Sequence, residues 1–249
     1  KNINEVIDLY PEEILGKSEA IKAEPALAAR PDDFAGAIFT PQEELGDPYL
    51  FCNAMIALLA QDYGVTVRLG VSVARLLHDS RPAGVELTTG ERIEADQLVL
   101  CAGFGSRAFL RDYGLRGSLM PMKGYSFTAA PGQASPKMSI TDVSKKVVFC
   151  PLDGAIRIAG LAELGARDTI VDQRQLAALV STAEAALPRA ADYAASYQGW
   201  AGLRPMTANA LPIIRTIAPR VTINVGHGML IWTYAMGSAE RAARLLGGV

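Results

Sequence analysis

Residues 98–103, LVLCAG, set the tightest limit on what this chain can become. The run is continuously apolar and does not alternate, so it reads as a strand covered on both faces, the pattern of a parallel sheet. A parallel strand needs hydrogen-bonded neighbours and long crossover connections between them. Gly103 and Gly105 then lead into a predicted helix near Arg107 to Tyr113. Some part of the fold must therefore be of α/β type.

Upstream, residues 1 to 30 carry short helical patterns broken by Pro11, Gly16 and Pro25, and Ala35 to Thr40 reads as a short strand. Asp47 can cap a helix with Pro48 in its first turn. Phe51, Met55, Leu58 and Leu59 recur at helical spacing, and Gly64 ends the segment. VTVRL, VSVARLL, AGVELTT and ERIEA then alternate between glycine-marked turns, which predicts a β-meander leading to LVLCAG. From Leu119 the strands lengthen. LMPMKGYSFTAA, KMSITDVSKKVVFC with a turn at Val143 to Lys145, and AIRIAGLAEL predict a second, antiparallel sheet, followed by a helix from about Asp172 to Leu187. The chain closes with a strand through Tyr197 to Leu203, a strand VTINVG, and a helix from about Tyr234 to Leu246.

Bulk properties remove several function classes. The chain has 249 residues, with 24 Lys and Arg against 26 Asp and Glu and a net charge of −2. It lacks the basic stripe that would neutralise phosphates, so nucleic acid is not an expected partner. No apolar run approaches the ~20 residues that span a bilayer. Cys52, Cys101 and Cys150 are odd in number, widely spaced and set in apolar contexts, which predicts small buried side chains in a reducing compartment. That points to the cytoplasm, or to the periphery of an inner membrane. With only His78 and His227 and no paired-ligand spacing, a zinc site has almost no raw material. No serine sits in a G-x-S-x-G elbow, which disfavours a nucleophilic hydrolase.

Three places could carry chemistry. Arg204 lies between Gly202-Leu203 and Pro205, where a strand turns, so its planar fork of donors could be aimed at a substrate carboxylate. The competing reading is an ordinary surface salt bridge. VTINVGHGML runs from a strand through Gly226, His227 and Gly228 into a helix. That lets main-chain N–H groups and the positive helix end approach an electron-rich ring, or it simply closes a tight turn. Lys123, Gly124 and Tyr125 interrupt a period-two strand, which indicates either a bulge or a ligand lying against the backbone. Tyr125 could orient a substrate through its hydroxyl or could be packed.

DQLVLCAGFGS, PMKGYSFT, IRIAGLAEL, WAGLRPMTANALPII and NVGHGMLIWTYAMGSA, in that order, resemble the FAD-dependent D-amino-acid oxidase superfamily, most closely its bacterial D-amino-acid dehydrogenases. The resemblance covers nearly the whole chain. It implies a mixed α/β (α+β) fold: part of an FAD-binding α/β domain over residues 42–118 and 203–249, and an antiparallel-sheet substrate domain over 1–41 and 119–202. It implies that Arg204 binds the amino-acid carboxylate and that Tyr125 lies near flavin and substrate. By the same resemblance Val73 would meet the adenine end of FAD through its backbone, and Ala102 and Gly103 would face the cofactor's linker. Gly226, His227, Gly228, Met229 and Leu230 would border the isoalloxazine. The implied reaction is hydride transfer from the Cα of a D-amino acid or related amine to flavin N5, giving an imino acid.

The chain departs from this pattern at one point. The family opens with a strand and a G-x-G-x-x-G loop for the FAD pyrophosphate, and neither precedes KNINEVIDLY. This predicts weak or absent FAD binding by the chain alone, and an LVLCAG strand that exposes its edge and apolar surface. The expectation is either truncation or completion by another polypeptide. A rival reading is a non-catalytic remnant or subunit whose flavin-facing surface binds a partner chain.

Overall fold

A computed structural model describes residues 12–77, 83–115, 117–195 and 197–247. The KNINEVIDLY segment, Pro11 and His78 lie outside the described residues. In chain order the elements are β1 (Glu13–Gly16), α1 (Lys17–Ala23), β2 (Gly36–Phe39), α2 (Pro48–Asp62), β3 (Val73–Leu77), β4 (Ala83–Leu87) and β5 (Arg92–Ala95). There follow β6 (Leu98–Leu100), α3 (Arg107–Leu110), β7 (Met120–Ala129), β8 (Ile140–Asp142), β9 (Val147–Leu152) and β10 (Ala155–Leu164). The last are α4 (Gln173–Ala186), β11 (Gln198–Met206), β12 (Ile213–Ala218), β13 (Val221–Val225) and α5 (Ile231–Leu245).

The chain forms two compact units. One comprises Lys1–Asp47, Gly124–Ala162 and Thr169–Gly202, the other Pro48–Lys123, Glu163–Asp168 and Leu203–Val249. The first is built on a five-stranded sheet of order β11-β7-β10-β9-β8, in which β10–β9 and β9–β8 pair antiparallel. Helix α4 lays Leu176, Leu179, Ala183 and Ala186 on that sheet against Phe127, Phe149, Ile156 and Ile158. Asp172 caps the helix by accepting from the N–H groups of Arg174 (2.8 Å) and Gln175 (3.4 Å). Leu179 comes close because Gly160 has no side chain: a Cβ there would stand 2.7 Å from Leu179 Cδ1. Strands β1 and β2 make a separate antiparallel pair. The buried Glu24 carboxylate ties α1 to the approach to β8 by accepting from the N–H groups of Lys137 (2.8 Å) and Met138 (3.0 Å).

The second unit contains two three-stranded sheets. In one, β13 pairs antiparallel with β12 and parallel with β6, giving the order β12-β13-β6. The other is the meander β3-β4-β5. Leu100, Leu110, Leu119, Ile223 and Val225 form the core, with Leu76 and Phe104 packed against it.

The structure corrects several expectations. VTVRL is not a strand: residues 65–69 have no ladder partner among the described residues, and pairing rather than propensity makes a strand. The predicted helix near Arg107 is only one α-helical turn. It is followed by a 3₁₀ turn (Arg111–Tyr113) that Gly114 ends at φ 70°. Helix α2 forms where its spacing predicts it, but no residue of that helix is buried. LVLCAG does pair in parallel, but it is not covered on both faces, since Val99 is exposed while Leu100 is buried, and among the described residues β6 has a partner on one edge only. Cys52 and Cys101 are exposed and Cys150 is half-buried, all three as free thiols, so the apolar context of these cysteines did not translate into burial. Helix α5 starts three residues before Tyr234, and β1 and β12 escaped sequence reading because neither carries a period of its own. Strand β7 runs unbroken through Gly124. No helix among the described residues is long and apolar enough to cross a membrane.

Candidate functional site

In the second unit, β6 and β13 run parallel with Leu100 opposite Ile223, so both strands end at one edge. Ala102 and Gly103 follow β6 there, and Gly226, His227 and Gly228 follow β13. The crevice beyond the carboxyl ends of parallel strands is where α/β sheets take up ligands.

The GHG loop is shaped by its own backbone and by the end of β11. Gly226 sits at φ 84°, and a Cβ on it would lie 2.5 Å from Thr207 Cγ2. Gly228 sits at φ 60°, and a Cβ on it would lie 3.1 Å from Met206 Sδ. The N–H of Gly228 donates to the carbonyl of Pro205 at 3.1 Å, which fastens the loop to the residue after Arg204. The tight-turn reading thus describes the loop's internal geometry. Gly103 and Gly237 differ: a Cβ on either would meet nothing within 4 Å, so the chain leaves open space in front of both. Met229 and Leu230, at the entry to α5, are exposed.

Side chains alternate along a strand, so Arg204 and Met206 leave β11 on one face, and Met206 is the residue that meets Gly228. Arg204 therefore projects from the face that carries the GHG loop. Its guanidinium is half-buried, and burial holds its pKa below the usual arginine value. No described residue offers it a hydrogen bond or a carboxylate. His227 is half-buried as well, and burial lowers its pKa, so the ring is neutral at pH 7. Its Nε2 is buried without a hydrogen-bond partner among the described residues.

The remaining predicted residues belong to other elements. Tyr125 belongs to the first unit, where it is 1% exposed in the core beside Phe127. Lys123 is buried in the second unit and pairs with Asp168 at 2.9 Å. Val73 begins β3 opposite Leu87, in a different sheet from β6 and β13. Met206 and Asn224 were missed from sequence. Met206 gives no local signal, because its contact lies some twenty residues away. Asn224 does give one, as an amide inside the apolar strand VTINV. Its Nδ2 donates to Ser238 Oγ at 3.5 Å, and its Oδ1 is buried without a partner among the described residues.

Comparison with known proteins places these features in context. Residues 4–245 match the family described as FAD dependent oxidoreductase. The chain is 34% identical over 238 residues to a D-amino acid dehydrogenase of Chromohalobacter salexigens, covering 94% of this chain and 57% of that protein. It is 38% identical over 240 residues to a D-amino acid dehydrogenase of Methylobacterium nodulans, covering 95% and 56%. It thus spans little more than half the length of these relatives. Among solved structures, glycine oxidase from Geobacillus kaustophilus superposes with a TM-score of 0.81 at 24% identity, over 95% of this chain and 63% of that one. FAD-bound L-alpha-glycerophosphate oxidase from Mycoplasma pneumoniae superposes with a TM-score of 0.79 at 19% identity, over 96% and 65%. At these identities the structures establish the fold alone, a mixed α/β architecture with antiparallel sheets.

Proposed function

The chain belongs to the family of FAD dependent oxidoreductases, and from that membership we propose that it is the substrate-binding and flavin-facing portion of an amino-acid dehydrogenase acting on D-amino acids. The observation that carries the reading is Arg204: a desolvated guanidinium, without an anionic partner among the described residues, on the face of β11 where the GHG loop is attached. A half-buried cation of this kind is stabilised when an anion arrives. The α-carboxylate of an amino acid matches its fork of donors in a bidentate way, a charge-assisted contact of about 1.5–3 kcal/mol.

The residues at the carboxyl ends of β6 and β13 fit an FAD ring and its linker. Gly103 and Gly237 leave room where side chains would intrude, and the unpartnered Nε2 of His227 supports a polar edge beside the loop. When bound, FAD supplies the electron-pair acceptor for the hydride leaving the substrate Cα. The chain's own residues hold the substrate: Arg204 takes the carboxylate, and the uncharged Gly226–Leu230 loop excludes water and orients the Cα–H bond. The substrate amine enters as the free base, so no strong general base is needed. Val73 keeps its implied role at the adenine end of FAD.

The test compares wild type, Arg204→Lys and Arg204→Ala in D-alanine oxidation with added FAD and an artificial electron acceptor. The lysine variant is expected to raise KM roughly 10–100-fold, since a point charge replaces a bidentate fork. Unchanged KM and kcat in both variants would remove the clamp.

A second reading is a non-catalytic subunit whose flavin-facing surface binds a partner chain, and the exposure of Val99, Cys101 and Ala102 around LVLCAG favours it. Purified protein with a flavin absorption band near full occupancy would rule it out.

A further inference from the structure

One face of strand β11 carries an aromatic ring in line with the arginine. Gly199 and Ala201 face helix α4: a Cβ on Gly199 would stand 2.4 Å from Leu176 Cδ2, and Ala201 belongs to the core that Leu176 fills. Alternation along the strand therefore sends Trp200, Gly202, Arg204 and Met206 to the opposite face. There the Trp200 indole lies along the strand. A Cβ on Gly202 would stand 2.1 Å from its Cη2 and 2.7 Å from its Cζ2, so the six-membered ring occupies space that any other residue at 202 would fill. Gly202 is buried beneath the ring, yet Trp200 itself is 62% exposed. The ring covers one glycine and leaves most of its own surface in water. Arg204 is the next residue on this face, roughly 7 Å beyond Gly202 along the strand.

We propose that the Trp200 ring is the platform on which the substrate side chain lies, and that the chain selects D-amino acids with aromatic or large apolar side chains. The proposal rests on the reading of Arg204 as the carboxylate clamp. A carboxylate held at Arg204 leaves the other end of the amino acid within reach of a flat apolar surface one pleat away. An aromatic side chain laid there takes both surfaces out of water and adds the geometry that ring pairs prefer. The seat of the ring supports this use. A ring projecting from the strand would suit a protein partner, whereas this one lies along the strand toward Arg204, in the gap that Gly202 leaves. Indole faces also attract cations, but the guanidinium of Arg204 already stands beside this one, and a second cation would be repelled. The methyl group of D-alanine is too short to cover the ring, so the platform distinguishes large side chains from small ones.

The test compares wild type with Trp200→Ala, Trp200→Phe and Gly202→Ala in oxidation of D-phenylalanine, D-alanine and D-lysine, with added FAD and an artificial electron acceptor. The quantity read is the ratio of kcat/KM for D-phenylalanine to that for D-alanine. It should fall about tenfold or more in Trp200→Ala, and stay within about threefold of wild type in Trp200→Phe, which keeps a flat ring. Gly202→Ala retains the indole but displaces it, so its ratio should fall as well. A second reading needs no turnover. The chain has two tryptophans, so Trp232→Phe leaves Trp200 as the sole indole, and saturating D-phenylalanine should shift its emission to the blue as the ring leaves water. An unchanged ratio in Trp200→Ala, an unmoved emission, or a larger loss for D-lysine than for D-phenylalanine overturns the proposal. Arg204→Ala should weaken all three substrates alike. If it does so while Trp200→Ala leaves the ratio unchanged, the platform falls and the clamp stands. If the Arg204 variants behave as wild type, the clamp falls and takes the platform with it.

Discussion

Gly228 donates its N–H to the carbonyl of Pro205 across 3.1 Å, and this bond joins the loop after β13 to the residue that follows Arg204. A strand end and a strand-to-helix turn, about twenty residues apart in sequence, thereby share one geometry. Anything that moves one moves the other.

The two glycines of the loop should differ in their tolerance of a methyl group. Both have positive φ, so alanine at either carries about 1–2 kcal/mol of left-handed strain. Gly226→Ala adds a 2.5 Å approach to Thr207 Cγ2, whereas Gly228→Ala meets the flexible Met206 side chain at 3.1 Å. Chemical denaturation should show Gly226→Ala as the more destabilised, and Met206→Ala should partly rescue Gly228→Ala alone. Equal losses would mean that strain dominates and that the side-chain contacts are incidental.

Gly103→Ala separates ligand room from chain stability. Its φ of 52° imposes about 1 kcal/mol of strain, but its Cβ would touch no atom of the chain within 4 Å. A modest loss in melting temperature together with a tenfold or larger loss in FAD affinity, read by flavin fluorescence, is expected. Retained FAD affinity would take Gly103 out of the cofactor site.

Arg204→Met should leave the fold as stable as wild type or stabilise it by roughly 0.5–1 kcal/mol, because it removes a desolvated cation that has no anionic partner among the described residues. The same variant should lose D-amino-acid binding by calorimetry. A clear fall in stability would reveal a structural partner for the guanidinium.

Acidification should destabilise the folded chain through His227. Burial lowers its folded pKa below the ordinary histidine value of about 6.5, so the unfolded chain binds more protons in this range. Stability is therefore fully present above about pH 6.5 and falls as pH drops through the folded pKa. Unfolding free energies at pH 7.5 and 5.5 should differ less in His227→Gln than in wild type. Parallel losses would place the acid sensitivity elsewhere.

In the core of the first unit, Leu179→Ala should cost about 2–5 kcal/mol, since Leu179 is fully buried against the five-stranded sheet and fills the space above Gly160. Gly160→Ala in that background should be better tolerated than in wild type, a coupling that a double-mutant cycle measures directly.

Local chemistry made much of this molecule readable in advance. Asp172 and Pro188 bracket α4, alternation marks β7 and β10, and Gly226 and Gly228 stand where the backbone turns left-handed, because caps, periods and positive φ are properties of a few adjacent residues. Burial and pairing were decided elsewhere. VTVRL has every local qualification of a strand and forms none, α2 has helical apolar spacing and buries no residue, and Cys52 and Cys101 sit in apolar contexts yet face solvent. Whether such groups are covered depends on which distant segment arrives against them, as Met206 arrives at Gly228. That information resides in the assembled fold, because a contact between residues far apart in the chain leaves no trace in the spacing around either one.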